Sequence, residues 1–73
     1  DSVLNKLTPR ELEVFKLLAQ GFNAKQVSQL IDIMPKTAHV HRASIMSKLN
    51  LTSQIQITKL ALEKGVILID EIG

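Results

Sequence analysis

The residues of this 73-residue chain with the most chemical promise lie between positions 34 and 49. Taking Ala38 as zero and advancing 100° per residue, Ile45 and Leu49 fall within about 20° of it, flanked by His41 and Arg42, so this stripe is the packing face of a helix. The opposite side carries Lys36, Val40, Ala43 and Ser47, with His39 and Thr37 at its edges, and no acid lies between Pro35 and Leu49. Cations and hydroxyls around one β-branched apolar residue suit the major groove of duplex DNA, where cations meet phosphates and Val40 meets a thymine methyl. The same composition also fits a solvated helix with one exposed valine.

Other chemistry finds little material. Glu11 and Glu13 stand two apart on a helix and diverge, and Ser44 or Ser47 beside a histidine lacks the acid and the pocket that activate a nucleophile. Gly21, Gly65 and Gly73 stop helices or end the chain and do not form a phosphate cradle. No catalytic residue is expected, and the chain is not read as an enzyme. His39 and His41, two apart, point in different directions, and without cysteine there is no thiolate site or disulfide, so neither a metal nor another cofactor is expected. Two phenylalanines and no Trp or Tyr argue against a platform for stacking single-stranded bases. The net charge of +2 and pI near 9.2 permit nucleic acid without demanding it, and the local absence of acid around residues 35–49 says more. No stretch is apolar enough for a membrane span, and no signal peptide is visible. Since the first residue is Asp1 and not Met, a preceding segment is expected.

The elements that must position this face are helical throughout. Residues 1–6 resemble the incoming end of a linker, although Val3 or Leu4 is placed to cover the core edge. Thr8 followed by Pro9 and Glu11 is a capping box with proline where a helix tolerates it best, which opens a first helix over about 9–20. Leu12, Phe15, Leu18 and Ala19 line one side of it, Val14 and Leu17 widen the apolar face, and Gly21 supplies a left-handed stop. Asn23 opens a short second helix over about 24–31, with Ala24, Val27, Leu30 and Ile31 facing in. About three residues then separate it from the central helix at 35–49, which is the sequence form of a helix-turn-helix; any helical hairpin would look similar. Asn50 ends the central helix, and Thr52 or Ser53 caps a fourth over about 53–64. There Ile57, Leu60 and Ala61 share an inward face, while Ile55 and Leu62 lie roughly opposite, with Thr58 and Lys59 between. Two apolar faces need two partners. A domain this small covers one, so Ile55, Thr58, Lys59 and Leu62 are expected to form the seam of a homodimer; a tail folded back after Gly65 would be the other cover. Val66 and Ile67 close the core, and 68–73 is left as a tail. The expected class is an all-α, four-helix helix-turn-helix domain over residues 7–67.

With these elements in place, an ordered set of residues becomes recognisable. It comprises Leu7, Thr8, Pro9, Arg10 and Glu11 with Val14; Leu18 to Phe22; Asn23 to Val27; Lys36 and Thr37; Val40, His41 and Arg42; Ile45; Lys48 and Leu49; and Ala61 and Leu62 before Gly65, Val66 and Ile67. The set resembles the LuxR/NarL-type, GerE-like helix-turn-helix domain of bacterial transcription regulators. That resemblance implies a domain whose third helix enters the major groove, whose second crosses the backbone and whose fourth pairs two copies on an inverted repeat. It implies base contacts from His39, Val40 and Ala43, and phosphate contacts from Lys25, Lys36, Thr37 and Arg42, with Lys48 a further candidate. The implied setting is the bacterial cytoplasm, with double-stranded DNA and RNA polymerase as partners, no small molecule in this domain, and a separate signal-receiving domain, a receiver or a ligand pocket.

Two positions depart from the pattern. Met34 stands where relatives cap the third helix with Ser or Thr, removing an acceptor worth about 1 kcal/mol, which Pro35 partly offsets by presetting the first turn. Ser28 and Leu30 replace a usual Ala and a frequent basic residue in the second helix, so less phosphate contact is expected there. With the modest net charge and the short side chain of Ala43, these features favour an alternative in which the helix-turn-helix serves protein contact, with RNA polymerase or another regulator, and binds DNA weakly or not at all. A promoter-reading sigma-factor region would not need a two-sided fourth helix.

Overall fold

In the computed structural model, which describes residues 3–72, a 3-10 turn at Val3–Lys6 leads into α1 (Pro9–Ala19), α2 (Ala24–Leu30), α3 (Pro35–Leu49) and α4 (Gln54–Glu63). A second 3-10 turn, Ile69–Glu71, follows, and no strand occurs among the described residues. The architecture is the expected all-α, four-helix one. Three of the four α-helices start at a side-chain cap. The amide of Glu11 donates to Thr8 Oγ1 at 3.1 Å and that of Thr8 to Glu11 Oε1 at 2.9 Å; Asn23 and Gln26 make the same reciprocal pair at 2.8 and 2.9 Å. Ser53 accepts from the Gln56 amide and so is the cap of α4. The stops are equally local. Gly21 follows α1 at φ +110°, and Asn50 follows α3 at φ 56°, ψ 47° in the left-handed region that asparagine tolerates.

α1 runs through the centre, packed on α4, α3 and α2, with Val14, Phe15, Leu18 and Ala19 buried and Leu12 and Leu17 partly covered. Around them close Ala24 and Val27 of α2, Ala38 and Ile45 of α3, Ile57 and Ala61 of α4, and Ile67 beyond it. Leu4, rather than the exposed Val3, covers the edge of this core. α2 differs from expectation. Leu30 is 55% exposed, and Ser28 takes its place inside. Ser28 lies about 40° from Ala24 on the helix and Leu30 about 120° away, so the hydroxyl residue inherits the buried face. Its Oγ donates to the Lys25 carbonyl at 2.6 Å, which removes the cost of burying it. Because α2 stops at Leu30, the turn to α3 is residues 31–34, one longer than expected, and Asp32 adopts φ 56° within it.

Two polar contacts fix the angles between helices. At the C-terminal end of α1, the Ala19 carbonyl accepts from Thr58 Oγ1 at 3.0 Å, and the Leu18 carbonyl, which already accepts from the Gly21 amide at 3.0 Å, takes a second bond from Gln54 Nε2 at 2.6 Å, so α4 side chains cap the end of α1. At the other end Glu11, only 5% exposed, accepts from Ser44 Oγ at 2.6 Å and Lys48 Nζ at 2.7 Å. The Lys48 ammonium, with the Ser44 hydroxyl and the Thr8 amide, holds the Glu11 carboxyl down from 4.5 to about 2 against the opposing effect of burial.

Because that carboxyl is more acidic in the folded chain, the unfolded chain takes up its proton first on acidification, and the stabilisation present above pH 4.5 is lost progressively toward pH 2. Urea unfolding should show this slope, and Glu11→Gln should flatten it while costing about 2 kcal/mol at neutral pH; an unchanged slope in the variant would assign the acid sensitivity elsewhere. α3 offers a second test, since Met34 caps it with no side-chain hydrogen bond. Met34→Ser should add about 1 kcal/mol, raising the thermal midpoint by about 4–8 °C, and a midpoint that does not rise would mean the first turn of α3 needs no acceptor.

Candidate nucleic-acid interface

α3 rises about 22 Å over its fifteen residues. Its inward stripe is Ala38 and Ile45, both fully buried, with Leu49 partly covered. Everything on the opposite arc is open: Lys36, Thr37, His39, Ala43 and Ser47 are exposed, and Val40, an apolar residue at the middle of the arc, is 59% exposed. A single exposed valine is ordinary on a protein surface; what marks this one is its place at the middle of an arc of exposed cations and hydroxyls that contains no acid. His39, Val40 and Ala43 therefore share one solvent-facing surface, and Lys25 of α2 is exposed as well. Arg42 is half-buried at the margin of the inward stripe, as is His41 on its other margin.

Lys48 is placed differently. Its ammonium is opposed by Glu11, a residue 37 positions earlier in the chain, so a carboxylate does reach the flank of α3 although none lies within the helix. Glu11 had looked fully occupied as a cap. A carboxylate has acceptor capacity beyond one amide, however, and Ser44 and Lys48, one turn apart beside the inward stripe, are a donor pair that calls for an anion. That spacing was the available signal. The other nearby acid is Asp32, in the left-handed position of the turn before α3. Glu13 is paired with Arg10 on α1 at 2.9 Å.

The four residues expected to form a seam on α4 divide. Ile55, at 78% exposure, and Lys59 face solvent. Thr58 is bonded to the Ala19 carbonyl, and Leu62 packs in part against the chain's own core. The tail after Gly65 does not cover Ile55 either; Leu68 and Ile69 are themselves exposed. Among the described residues no cluster of His, Cys, Asp and Glu could hold a metal ion, and no helix is long and apolar enough to cross a membrane.

Comparison with known proteins identifies the family. Residues 5–61 match the family described as bacterial regulatory proteins, luxR family. The chain is 40% identical over 62 residues to the uncharacterized response regulatory protein YgeK of Escherichia coli K12, covering 85% of this chain and 42% of that protein. It is 40% identical over 53 residues to the transcriptional regulatory protein UhpA of the same organism, covering 73% and 27%. With the oxygen regulatory protein NreC of Staphylococcus carnosus TM300 it shares 36% over 61 residues, covering 84% and 28%. The chain thus spans less than half the length of these relatives. With a turn-linked helix pair among four helices and a family match running through most of its length, this chain belongs to the luxR family of bacterial regulatory proteins, as a helix-turn-helix domain.

Proposed function

We propose that the chain is the sequence-specific, double-stranded-DNA-binding output domain of a bacterial transcription regulator, working in the cytoplasm. The observation that carries this reading is the outer arc of α3, which bears cations and hydroxyls around an exposed valine and contains no acid. In this reading α3 enters the major groove, with His39, Val40 and Ala43 toward the base edges. Lys25, Lys36, Thr37 and Arg42 take phosphates. Lys48 is the weaker fifth candidate, since its ammonium must leave Glu11 to contribute. Two copies pair through α4 on an inverted repeat. Ile55 and Lys59 form the centre of that seam, and Thr58 and Leu62 contribute only what their intrachain contacts leave free. The regulatory names of the relatives support the same role, and the domain that receives the signal lies outside residues 7–67.

The exposed Leu30 and Met34, at 55% and 71%, give a second reading its footing: apolar side chains beside the turn suit contact with RNA polymerase or another regulator. A gel shift with random duplex at low salt separates the two, because even a weak DNA reader binds nonspecifically there.

Three phosphates neutralised per copy by Lys25, Lys36 and Arg42 give a log-log salt slope near −2.7, at about −0.9 for each, and release of Lys48 from Glu11 to a fourth would steepen it to about −3.6. Val40→Glu should weaken binding by about a hundredfold with helicity kept, since it sets a carboxylate against the groove's phosphates; unaltered affinity would remove α3 from the groove. For the seam, Ile55→Asp alone is the informative change, because Leu62 also serves the core. It should leave a folded monomer whose binding to a two-half-site duplex loses cooperativity, and unchanged self-association by sedimentation would rule the seam out.

A further inference from the structure

The same outer arc constrains what kind of base it can select. The strongest polar discrimination in the major groove comes from Arg or Lys on guanine, Asn or Gln on adenine, and a carboxylate on cytosine, while Ser and Thr serve either acceptor or donor edges. α3 contains no Asn, Gln, Asp or Glu. Its Arg42 is half-buried beside the inward stripe. Two further polar groups, Ser44 and Lys48, are turned to Glu11 at 2.6 and 2.7 Å. Lys36, Thr37, His39 and Ser47 are also exposed, but Lys36 and Ser47 lie toward the two ends of the arc and Thr37 and His39 at its edges; at its centre stands Val40, 59% exposed, with Ala43 exposed one turn on, three residues apart and hence neighbours on the surface. One apolar group in the major groove matches them: the C5-methyl of thymine.

We infer that, resting on the DNA-binding reading above, Val40 and Ala43 form a reader for a pyrimidine C5-methyl, so that each half-site is selected at its central step by that methyl and not by a base's hydrogen-bonding edge. The same methyl projects from the same ring position of 5-methylcytosine. The domain therefore accepts 5-methylcytosine paired with guanine in place of thymine paired with adenine at this step, and rejects both unmethylated counterparts, uracil and cytosine. Cytosine methylation of a target carrying C·G there raises its affinity.

The test uses the 73-residue chain and a duplex selected by it from random oligonucleotides, with each thymine replaced in turn by deoxyuridine. Burying one methyl corresponds to about a fourfold change in affinity, so one position per half-site should show about a fourfold loss, and both together about fifteenfold. Placing cytosine at that position should weaken binding, and 5-methylcytosine should recover about fourfold of it. Val40→Ala, an exposed change to a good helix former whose helicity is checked by circular dichroism, should bind the thymine duplex about fourfold more weakly, near the level at which the native chain binds the deoxyuridine duplex, and lose the methyl dependence. Duplexes bound equally with thymine and deoxyuridine at every position would overturn the inference while leaving DNA binding intact, as would a Val40→Ala variant that still discriminates. Failure to bind any duplex at low salt would overturn the DNA-binding reading and this inference with it.

Discussion

The carboxylate of Glu11 is the point on which the geometry of this domain turns. Three donors converge there: the nearby Thr8 amide that opens α1 and, from a distant part of the chain, the Ser44 hydroxyl and the Lys48 ammonium. Because Ser44 and Lys48 are one turn apart, the contact fixes the rotation of α3 about its own axis as well as its distance from α1. An apolar stripe alone tolerates some rolling, since the neighbours of Ala38 and Ile45 can slide by part of a residue. A pair of short charge-assisted bonds on one flank does not. With the stripe directed inward and the flank tied to α1, Val40 is left facing water. The exposed face is thus a consequence of interior contacts, and a residue buried on another helix decides which side chains a partner meets.

The opposite end of α1 is secured by a related device. Its final carbonyl, at Ala19, is taken by Thr58 of α4, and Gln54 adds a second bond to the Leu18 carbonyl beside that from the Gly21 amide. A chain of this length buries too little apolar surface for packing alone to hold four helices in one arrangement, so directional bonds at helix ends carry a larger share of specificity than they would in a bigger domain. That use has a consequence for α4's outer surface. Thr58 is directed toward α1, and Leu62 is drawn partly under cover, which narrows the open apolar face to the neighbourhood of Ile55. A second copy meeting this helix would find a small ridge of one large aliphatic side chain flanked by polar ones, suited to an association that strengthens only when both copies are held on one duplex.

Local chemistry was the dependable part of the sequence. Thr8 with Glu11, Asn23 with Gln26, Gly21 and Asn50 each state a helix limit within a few residues, and the observed limits fall within two residues of those expected. Longer helices also declare their faces, because α1 and α3 repeat their apolar positions over three turns or more. α2 has seven residues, too few to separate a stripe from coincidence, and hydrophobicity then favoured Leu30 where geometry favoured Ser28. The Glu11 network escaped for another reason. A residue already assigned one hydrogen bond looks finished, and nothing in a linear pattern shows that helices beginning at Pro9 and Pro35 bring positions 11, 44 and 48 together. The exposed arc could be drawn from periodicity, while its electrical surroundings depended on a tertiary contact.

That contact also changes how the overall charge should be weighed. A net +2 looks too weak to hold a polyanion, yet screening in physiological salt confines each charge to about 8 Å, and the domain measures 29 × 26 × 21 Å. A phosphate at one surface therefore responds to the groups around it and scarcely to the sum. Pairing sharpens the difference. Among the described residues Arg10 and Lys48 are the cations opposed by carboxylates, while Lys25 and Lys36 stand exposed in no such pair on the two helices joined by the turn. Cations of this kind set how tightly a duplex is held, and they do so alike for every sequence. On the proposed reading, choice among sequences then falls to the uncharged centre of α3, which Glu11 leaves facing outward.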